Sequence, residues 1–371
     1  MAKFRKIGIL SSGGDAPGMN AAIRAATRRA LSQGLEVVGI LGGYAGLLNA
    51  ADESDPEVVR QKYLRPFDTA SVSNIVTRGG TILYSSRCPE FKTPEGMAKA
   101  LKACHDYEID AVIAIGGDGT FRGATDLTNH GIPSIGIPAT IDNDITATEQ
   151  TIGFDTALNT ALTMFDALRD TAESHARCIV TEVMGNGCGF LSLYLALATG
   201  AISVAIPEIT FDREYAIKKI REAREECNKR GIIAICGEGM PKVNGVDYGE
   251  NFKEEIIART GIDTRYTKMG HIIRGGNPTL RDRLTATQMG VEAVNMLLEG
   301  RSNLVMCVNE NRISSADINF ALVLDKMYKN KLKDGDLEPF TGYQIAQMKA
   351  RCEARHAKIQ RLYKMAYDIS M

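Results

Sequence analysis

The sequence predicts an α/β fold: two domains of mainly parallel sheet flanked by helices, followed by a C-terminal helical extension. Three observations predict it. Short runs rich in Ile and Val are apolar continuously rather than alternately, as in strands covered on both faces. These runs alternate with longer stretches of helical period, the order of parallel sheets with crossover helices. Glycine-rich polar stretches follow the strands in two separate groups, which predicts two sheets whose strand-end loops face one crevice.

Taken in order, the first strand is KIGIL (6–10), followed by SSGGDAPGMN and a helix over 19–33. EVVGI (36–40) is the second strand, and a helix is expected over 94–107. AVIAIG (111–116) leads into GGDGT and a helix over 120–130; SIGIP (134–138) leads into ATIDND and a helix over 153–173. In the second group, CIVTEVM (178–184) runs into MGNGCG and a helix over 187–199, and VAIP (204–207) precedes a helix over 212–230. GIIAIC (231–236) ends in GEGM, a helix is expected over 281–299, and NLVMCV (303–308) is the last strand. From Tyr343 onward Ile345, Met348, Cys352, Ile359, Leu362 and Ala366 recur at helical spacing, with Lys349, Arg351, Arg355, Lys358, Arg361 and Lys364 interspersed. A basic amphipathic helix can dock on its own domain, on a neighbouring subunit, or on an anionic surface.

A chain of 371 residues accommodates two domains of ordinary size. With 44 basic and 45 acidic residues the net charge is −1, so no global field attracts nucleic acid or an anionic membrane. The eight cysteines are scattered with no C-x-x-C pair, which argues against zinc and for a reducing cytoplasm. The start, MAKFRKIGIL, runs directly into SSGGD and lacks the apolar core of a secretion signal. No stretch of about 18 apolar residues occurs, so no transmembrane helix is expected.

The chemistry is concentrated in the strand-end loops. GGDGT (116–120) does not have the spacing of a dinucleotide fingerprint, no Gly-Lys dipeptide of a Walker loop exists, and kinase landmarks such as H-R-D and D-F-G are missing. Two readings stay open for it. It is a glycine turn into a helix N-terminus that binds phosphate, with Asp118 on a Mg²⁺ ion, or a tight turn with Asp118 as helix cap. SSGGDAPGMNAAIR (11–24) has the same design, and two such turns at one sheet edge can clasp an extended anion such as a triphosphate. In IPATIDNDI (137–145), Thr140, Asp142 and Asp144 follow a strand end. In an extended segment the two acids point to one side, where one can act as base toward a hydroxyl and the other lie near a metal. An Asx-turn closing the strand is the alternative for either acid alone. TRGGT (77–81) and IRGGN (273–277) each place an arginine before two glycines, so that a guanidinium and backbone N–H groups can meet one anion. Arg177, Arg265 and His271 are further candidates. Acids, a metal, glycine turns and arginines together read as phosphoryl transfer.

GILSSGGDAPGMNAAIR, IVTRGGTIL, IGGDGT, GIPATIDNDI, EVMG and MGHIIRGG closely resemble the 6-phosphofructokinases, in the order of the bacterial enzymes, from about Lys6 to about Ile318. The resemblance implies an ATP-dependent kinase of glycolysis that makes fructose 1,6-bisphosphate from fructose 6-phosphate in two α/β domains. It implies a nucleotide-binding domain from 1–153 and 270–322, and a sugar-phosphate domain from 154–269 and 323–371. Asp142 is then the base toward the sugar 1-hydroxyl, Thr140 and Asp144 assist it, Asp118 holds Mg²⁺, and Arg78 stabilises the transferring phosphoryl group. Gly13, Tyr44, Arg78, Gly79, Gly119 and Thr120 line ATP. Met184, Gly185, Glu238, His271 and Arg274 bind the sugar phosphate with Thr140 and Asp142. Arg177 and Arg265 reach a neighbouring subunit's site, which makes the chain a homo-oligomer, at least a dimer and by family habit a homotetramer.

Departures from the family pattern qualify this. Pyrophosphate-dependent relatives usually carry aspartate at Gly119 and lysine at Ala139; Gly119 and Ala139 leave room and add no charge, which favours ATP, although the ATP enzymes have glycine at 139. Asn186 replaces the arginine that follows EVMG in the bacterial ATP enzymes. A charged hydrogen bond is worth about 1.5–3 kcal/mol, so this change predicts lower activity, a substitute group or another sugar phosphate. Arg24, Arg28 and Arg169 match effector-binding arginines, but Ile202 replaces an expected acid and a lysine cluster is thinned to Lys229 and Arg230, so weak or altered effector control is expected. The rival readings are a pyrophosphate-dependent enzyme, with sedoheptulose 7-phosphate as a further substrate, and a non-catalytic sugar-phosphate-binding regulatory subunit.

Overall fold

The structure is a computed structural model that describes residues 4–370. Its contacts divide the chain into two units. One contains residues up to Ile141, Ile145–Thr156 and Gly276–Cys352; the other contains Asp142–Asp144, Ala157–Gly275 and the chain from Glu353 onward.

The sheet of the first unit contains β1 (Lys6–Ser12), β2 (Glu36–Ile40), β3 (Leu64–Phe67), β4 (Ala111–Gly116) and β5 (Ser134–Pro138). The sheet of the second contains β6 (Cys178–Val183), β7 (Ser203–Ala205), β8 (Ile232–Gly237) and β9 (Thr264–Lys268). The chain then returns to the first with β10 (Leu304–Asn309) and β11 (Arg312–Asp317). The helices are α1 (Met19–Ser32), α2 (Tyr44–Asp52), α3 (Pro56–Lys62), α4 (Pro94–Asp106), α5 (Asp118–Asn129) and α6 (Phe154–His175). They continue with α7 (Phe190–Thr199), α8 (Arg213–Glu225), α9 (Tyr248–Thr260), α10 (Leu280–Leu298), α11 (Ile318–Tyr328) and α12 (Gly342–Asp368).

The first sheet has the order β11-β10-β5-β4-β1-β2-β3, parallel except for the edge strands β3 and β11. Its central strands are buried on both faces by Ile7, Ile9, Leu10, Val112, Ile113, Ile115, Ile135 and Ile137, each contributing roughly 1.5–3 kcal/mol of hydrophobic burial. From β1 the chain steps to β2 on one side, whereas β4 pairs with β1 on the other, with Ser12 opposite Gly116. This reversal opens a crevice beyond the carboxyl ends of β1 and β4. The second sheet, β7-β8-β6-β9, is parallel throughout. Its core gathers Cys178, Val180, Ile217, Ile220, Ile232, Ala234, Phe252 and Ile256.

Three strands that the sequence reading did not foresee, β3, β9 and β11, all lie at sheet edges. An edge strand is covered incompletely, so LRPF, TRYTK and RISSAD lack the continuous apolar run of the central strands; Pro66 is compatible with an edge. Residues 323–352 pack in the first unit rather than with the segment expected, because α11 lies on α5. The apolar stripe of the tail rests on its own chain: Met348, Cys352, Ile359 and Ala366 are buried, and Tyr367 stacks on Tyr215 of α8 with centroids 4.3 Å apart. No helix among the described residues is long and apolar enough to cross a membrane.

Candidate active site

The crevice beside β1 and β4 receives both glycine turns. After β1, Gly13 adopts a left-handed backbone (φ 86°) and its carbonyl accepts the Ser85 hydroxyl at 2.5 Å. After β4, Gly117 is the N-cap of α5 and Asp118 the first helical residue, so the acid is not the cap itself. Asp118 Oδ1 accepts the Gly119 N–H at 2.7 Å and Oδ2 lies 3.3 Å from Arg122, with the carboxylate half-exposed. Thr120 is buried and its hydroxyl donates to the Ser12 carbonyl at 2.9 Å, tying the second turn to the first. Gly117 and Gly119 are glycines that the local backbone does not demand. Neither has a positive φ, and a side chain built at either would have nothing within 4 Å.

Tyr44 was expected against the nucleotide. Instead its side chain is buried, stacked on Phe91 at 4.2 Å, with the hydroxyl donating to the Thr120 carbonyl at 2.6 Å. It braces α5 from beneath, and burial pushes the phenol far above its ordinary pKa. Arg78 is exposed in the 77–81 loop, which the buried Asn20 of α1 holds. The Asn20 amide donates to the carbonyls of Arg78 and Gly79, both at 3.1 Å, and its oxygen accepts the Ile82 N–H at 2.8 Å. Asn20 was not singled out from the sequence. The available signal was an amide on the buried face of an alanine-rich helix, where an unpaired polar group is costly. Gly79 has a different constraint: a methyl there would strike the carbonyl of Gly276. The two Arg-Gly-Gly repeats thus meet through their glycines.

Thr140 is buried, and its carbonyl accepts the Thr151 hydroxyl at 2.6 Å. The acids that follow do not lie on an extended strand as expected. Ile141 and Asp142 form a turn and Asn143 is left-handed (φ 51°), so alternation of side chains cannot explain their placement. Asp142 and Asp144 are both buried, and Asp144 Oδ2 accepts the Asn186 amide at 3.3 Å.

In the second unit the expected sugar-phosphate residues divide into two sets. Met184 and Gly185 follow β6, Glu238 follows β8, and the 3₁₀ turn Gly270–Arg274, with His271 and Arg274, follows β9. These strands are parallel neighbours, so all five residues stand beyond the same carboxyl edge. Glu238 Oε2 accepts the backbone N–H groups of Gly185 and Asn186 at 3.2 and 3.1 Å, fixing the loop after β6. Buried Met269 and Ile273 anchor the 3₁₀ turn and leave His271 exposed and Arg274 half-exposed. Arg177 and Arg265 stand at the opposite, amino-terminal edge, roughly 20 Å away along strands of this length. Both converge on Asp263, at 2.6 and 2.8 Å, and the Arg177 hydrogen bond lowers the pKa of that carboxyl.

Of the expected effector residues, Arg28 is exposed and Arg24 half-buried. Arg169 donates to the Thr199 carbonyl, and Arg230 donates to the carbonyls of Glu173 and Ser174 at the end of α6. Ala139 is buried, its N–H on the Gly116 carbonyl at 3.0 Å. Asp282, not foreseen, is buried and accepts the Thr156 N–H and hydroxyl at 2.8 and 2.6 Å; burial pushes its pKa up to about 6.

The sequence profile described as "Phosphofructokinase" matches residues 6–297. The chain is 45% identical over 319 residues to the ATP-dependent 6-phosphofructokinase of Halalkalibacterium halodurans, covering 86% of this chain and 94% of that protein. It is 46% identical over 329 residues to the protein of the same name from Halothermothrix orenii, covering 87% and 96%. Among solved structures, phosphofructokinase from Saccharomyces cerevisiae superposes with a TM-score of 0.80 at 30% identity, covering 90% of this chain and 47% of that one. The chain therefore spans about half the length of the yeast chain and nearly all of the two proteins from Halalkalibacterium halodurans and Halothermothrix orenii. The chain belongs to the phosphofructokinase family.

Proposed function

We propose that this chain is an ATP-dependent 6-phosphofructokinase, transferring the γ-phosphoryl group of Mg-ATP to the 1-hydroxyl of fructose 6-phosphate to give fructose 1,6-bisphosphate and ADP. The observation that carries the reading is the open space at Gly117 and Gly119. The protein's own packing has no use for glycine there, whereas a phosphate chain lying on the N–H groups that start α5 does. The names of relatives about 45% identical over most of the chain support ATP as the donor.

Each half of the reaction has its residues. Gly13, Gly79, Gly119 and Thr120 line the nucleotide in the first unit, with Tyr44 bracing them from below. Asp118 fits a hard cation: its carboxylate is half-exposed at the head of a helix, beside the open glycines. Mg²⁺ held there would neutralise charge on the phosphates. In the second unit Met184, Gly185, Glu238, His271 and Arg274 bind the sugar phosphate. Asp142 takes the proton of the 1-hydroxyl, whose oxygen bonds to the γ-phosphorus as the bond to ADP breaks. Thr140 and Asp144 assist Asp142, and Arg78 stabilises the charge on the moving phosphoryl group.

The position of Arg177 and Arg265 at the far sheet edge supports their serving a neighbouring subunit's sugar phosphate, in a homodimer at least and a homotetramer by family habit. Eight free thiols support a reducing compartment, the cytoplasm, where glycolysis would use this activity. The test is turnover of fructose 6-phosphate with Mg²⁺ and either ATP or pyrophosphate, for the wild type and Asp142→Asn. Turnover with ATP, and a kcat lowered by roughly 10²–10⁴ in the variant, are expected. Turnover with pyrophosphate alone, or an unimpaired variant, would overturn the reading.

A further inference from the structure

We propose that Arg355, on the C-terminal helix α12, is a positioning residue for the reaction, acting through the carbonyl of Asn143. The inference rests on Asp142 as the base. Arg355 Nη2 donates to the Asn143 carbonyl oxygen, and Asn143 is the residue between the two carboxylates. Its side chain is buried and its backbone left-handed. Such a backbone is uncommon outside glycine, and asparagine tolerates it better than most residues.

The guanidinium is itself fixed. Its carbon lies 4.7 Å from the centre of the buried Phe190 ring, at the head of α7, and the Lys358 ammonium lies 5.5 Å from the same ring. Cys188 Sγ stands 4.0 Å from the same Asn143 carbonyl, and Asn186 holds Asp144 from the loop after β6. The turn is therefore gripped by two elements, the 184–188 loop and the tail, and all these residues lie within one unit. The peptide plane that Arg355 fixes joins Asn143 to Asp144, one residue beyond Asp142. The segment supplying the guanidinium lies beyond the part of the chain that carries the phosphofructokinase motifs, which ends near Ile318.

The experiment compares wild type, Arg355→Ala, Arg355→Lys and, as a control on the same ring, Lys358→Ala. It measures kcat, both KM values and Tm, with and without millimolar free guanidinium. Loss of one charge-assisted hydrogen bond predicts kcat lower by about 10- to 100-fold in Arg355→Ala, with both KM values within about threefold. Guanidinium should restore part of this, Lys358→Ala should match wild type, and Arg355→Lys should fall between. If Arg355→Ala does not fold, Arg355→Lys carries the test, because its ammonium keeps the charge but not the planar fork. A kcat within about twofold of wild type in the folded variants would overturn the inference. So would a loss that follows Tm and ignores guanidinium, since the residue would then act on folding alone. Lack of wild-type turnover would overturn the proposed function and this inference with it, whereas an active wild type with indifferent Arg355 variants overturns this inference alone.

Discussion

Replacing Gly119 with aspartate separates two demands on one position. Gly119 is the second residue of α5, and nothing lies within 4 Å of where its side chain would begin. The fold gains from the exchange: helical glycine costs roughly 0.5–1 kcal/mol relative to alanine, and a carboxylate in the first turn adds roughly 0.3–1 kcal/mol. Repulsion from Asp118 offsets part of that gain. Stability should therefore stay within about 1 kcal/mol of wild type, a Tm shift of a few degrees. The nucleotide fares differently. A carboxylate about 5 Å from a phosphate charge, at an effective dielectric of about 20, costs roughly 3 kcal/mol. That is more than about a hundredfold in ATP affinity. A coupled assay of ADP release gives KM for ATP, and a thermal melt gives Tm; Gly119→Ala, bulk without charge, should fall between. An unchanged KM for ATP in Gly119→Asp would refute the reasoning, because the open space would then not be where the phosphates lie.

Two further predictions follow from buried polar groups. Asn20→Ala strips three hydrogen bonds from the 77–81 loop; at about 1 kcal/mol each it should lower stability by about 3 kcal/mol and raise KM for ATP, and an unaltered KM would show that the loop's placement does not matter to the nucleotide. Asp282 has its carboxyl pKa pushed up to about 6 by burial, so the folded state holds a proton that the unfolded state releases near pH 4. Its contribution to stability is full below pH 4 and is lost as pH rises through 6, roughly 3 kcal/mol in all. Asp282→Asn should therefore flatten the Tm profile between pH 4 and 7 relative to wild type, and parallel profiles would argue against a shifted Asp282.

The central strands were legible because burial on both faces writes itself as unbroken Ile and Val; β1, β2, β4 and β5 begin where the sequence reading put them. The edge strands were not, because a half-covered strand such as TRYTK can be polar without cost. The glycine turns were legible as turns, but whether Asp118 or Gly117 caps α5 depends on backbone angles that composition does not fix. Periodicity misled at Asp142 and Asp144, where a left-handed Asn143 breaks the extended run. The roles of Asn20 and Arg355 escaped notice for a shared reason. Their partners are backbone carbonyls 58 and 212 residues away, and a carbonyl leaves no trace in the identity of the residue that bears it.

The meeting of Gly79 with Gly276 also bears on how such a chain can diverge. Because any side chain at 79 would collide with the backbone at 276, neither loop can be lengthened or decorated at that point without a matching retreat by the other. The two segments, far apart in the gene, are bound to change together or not at all. A mutational library would show positions 79 and 276 as silent partners, intolerant whichever phosphate the selection rewards.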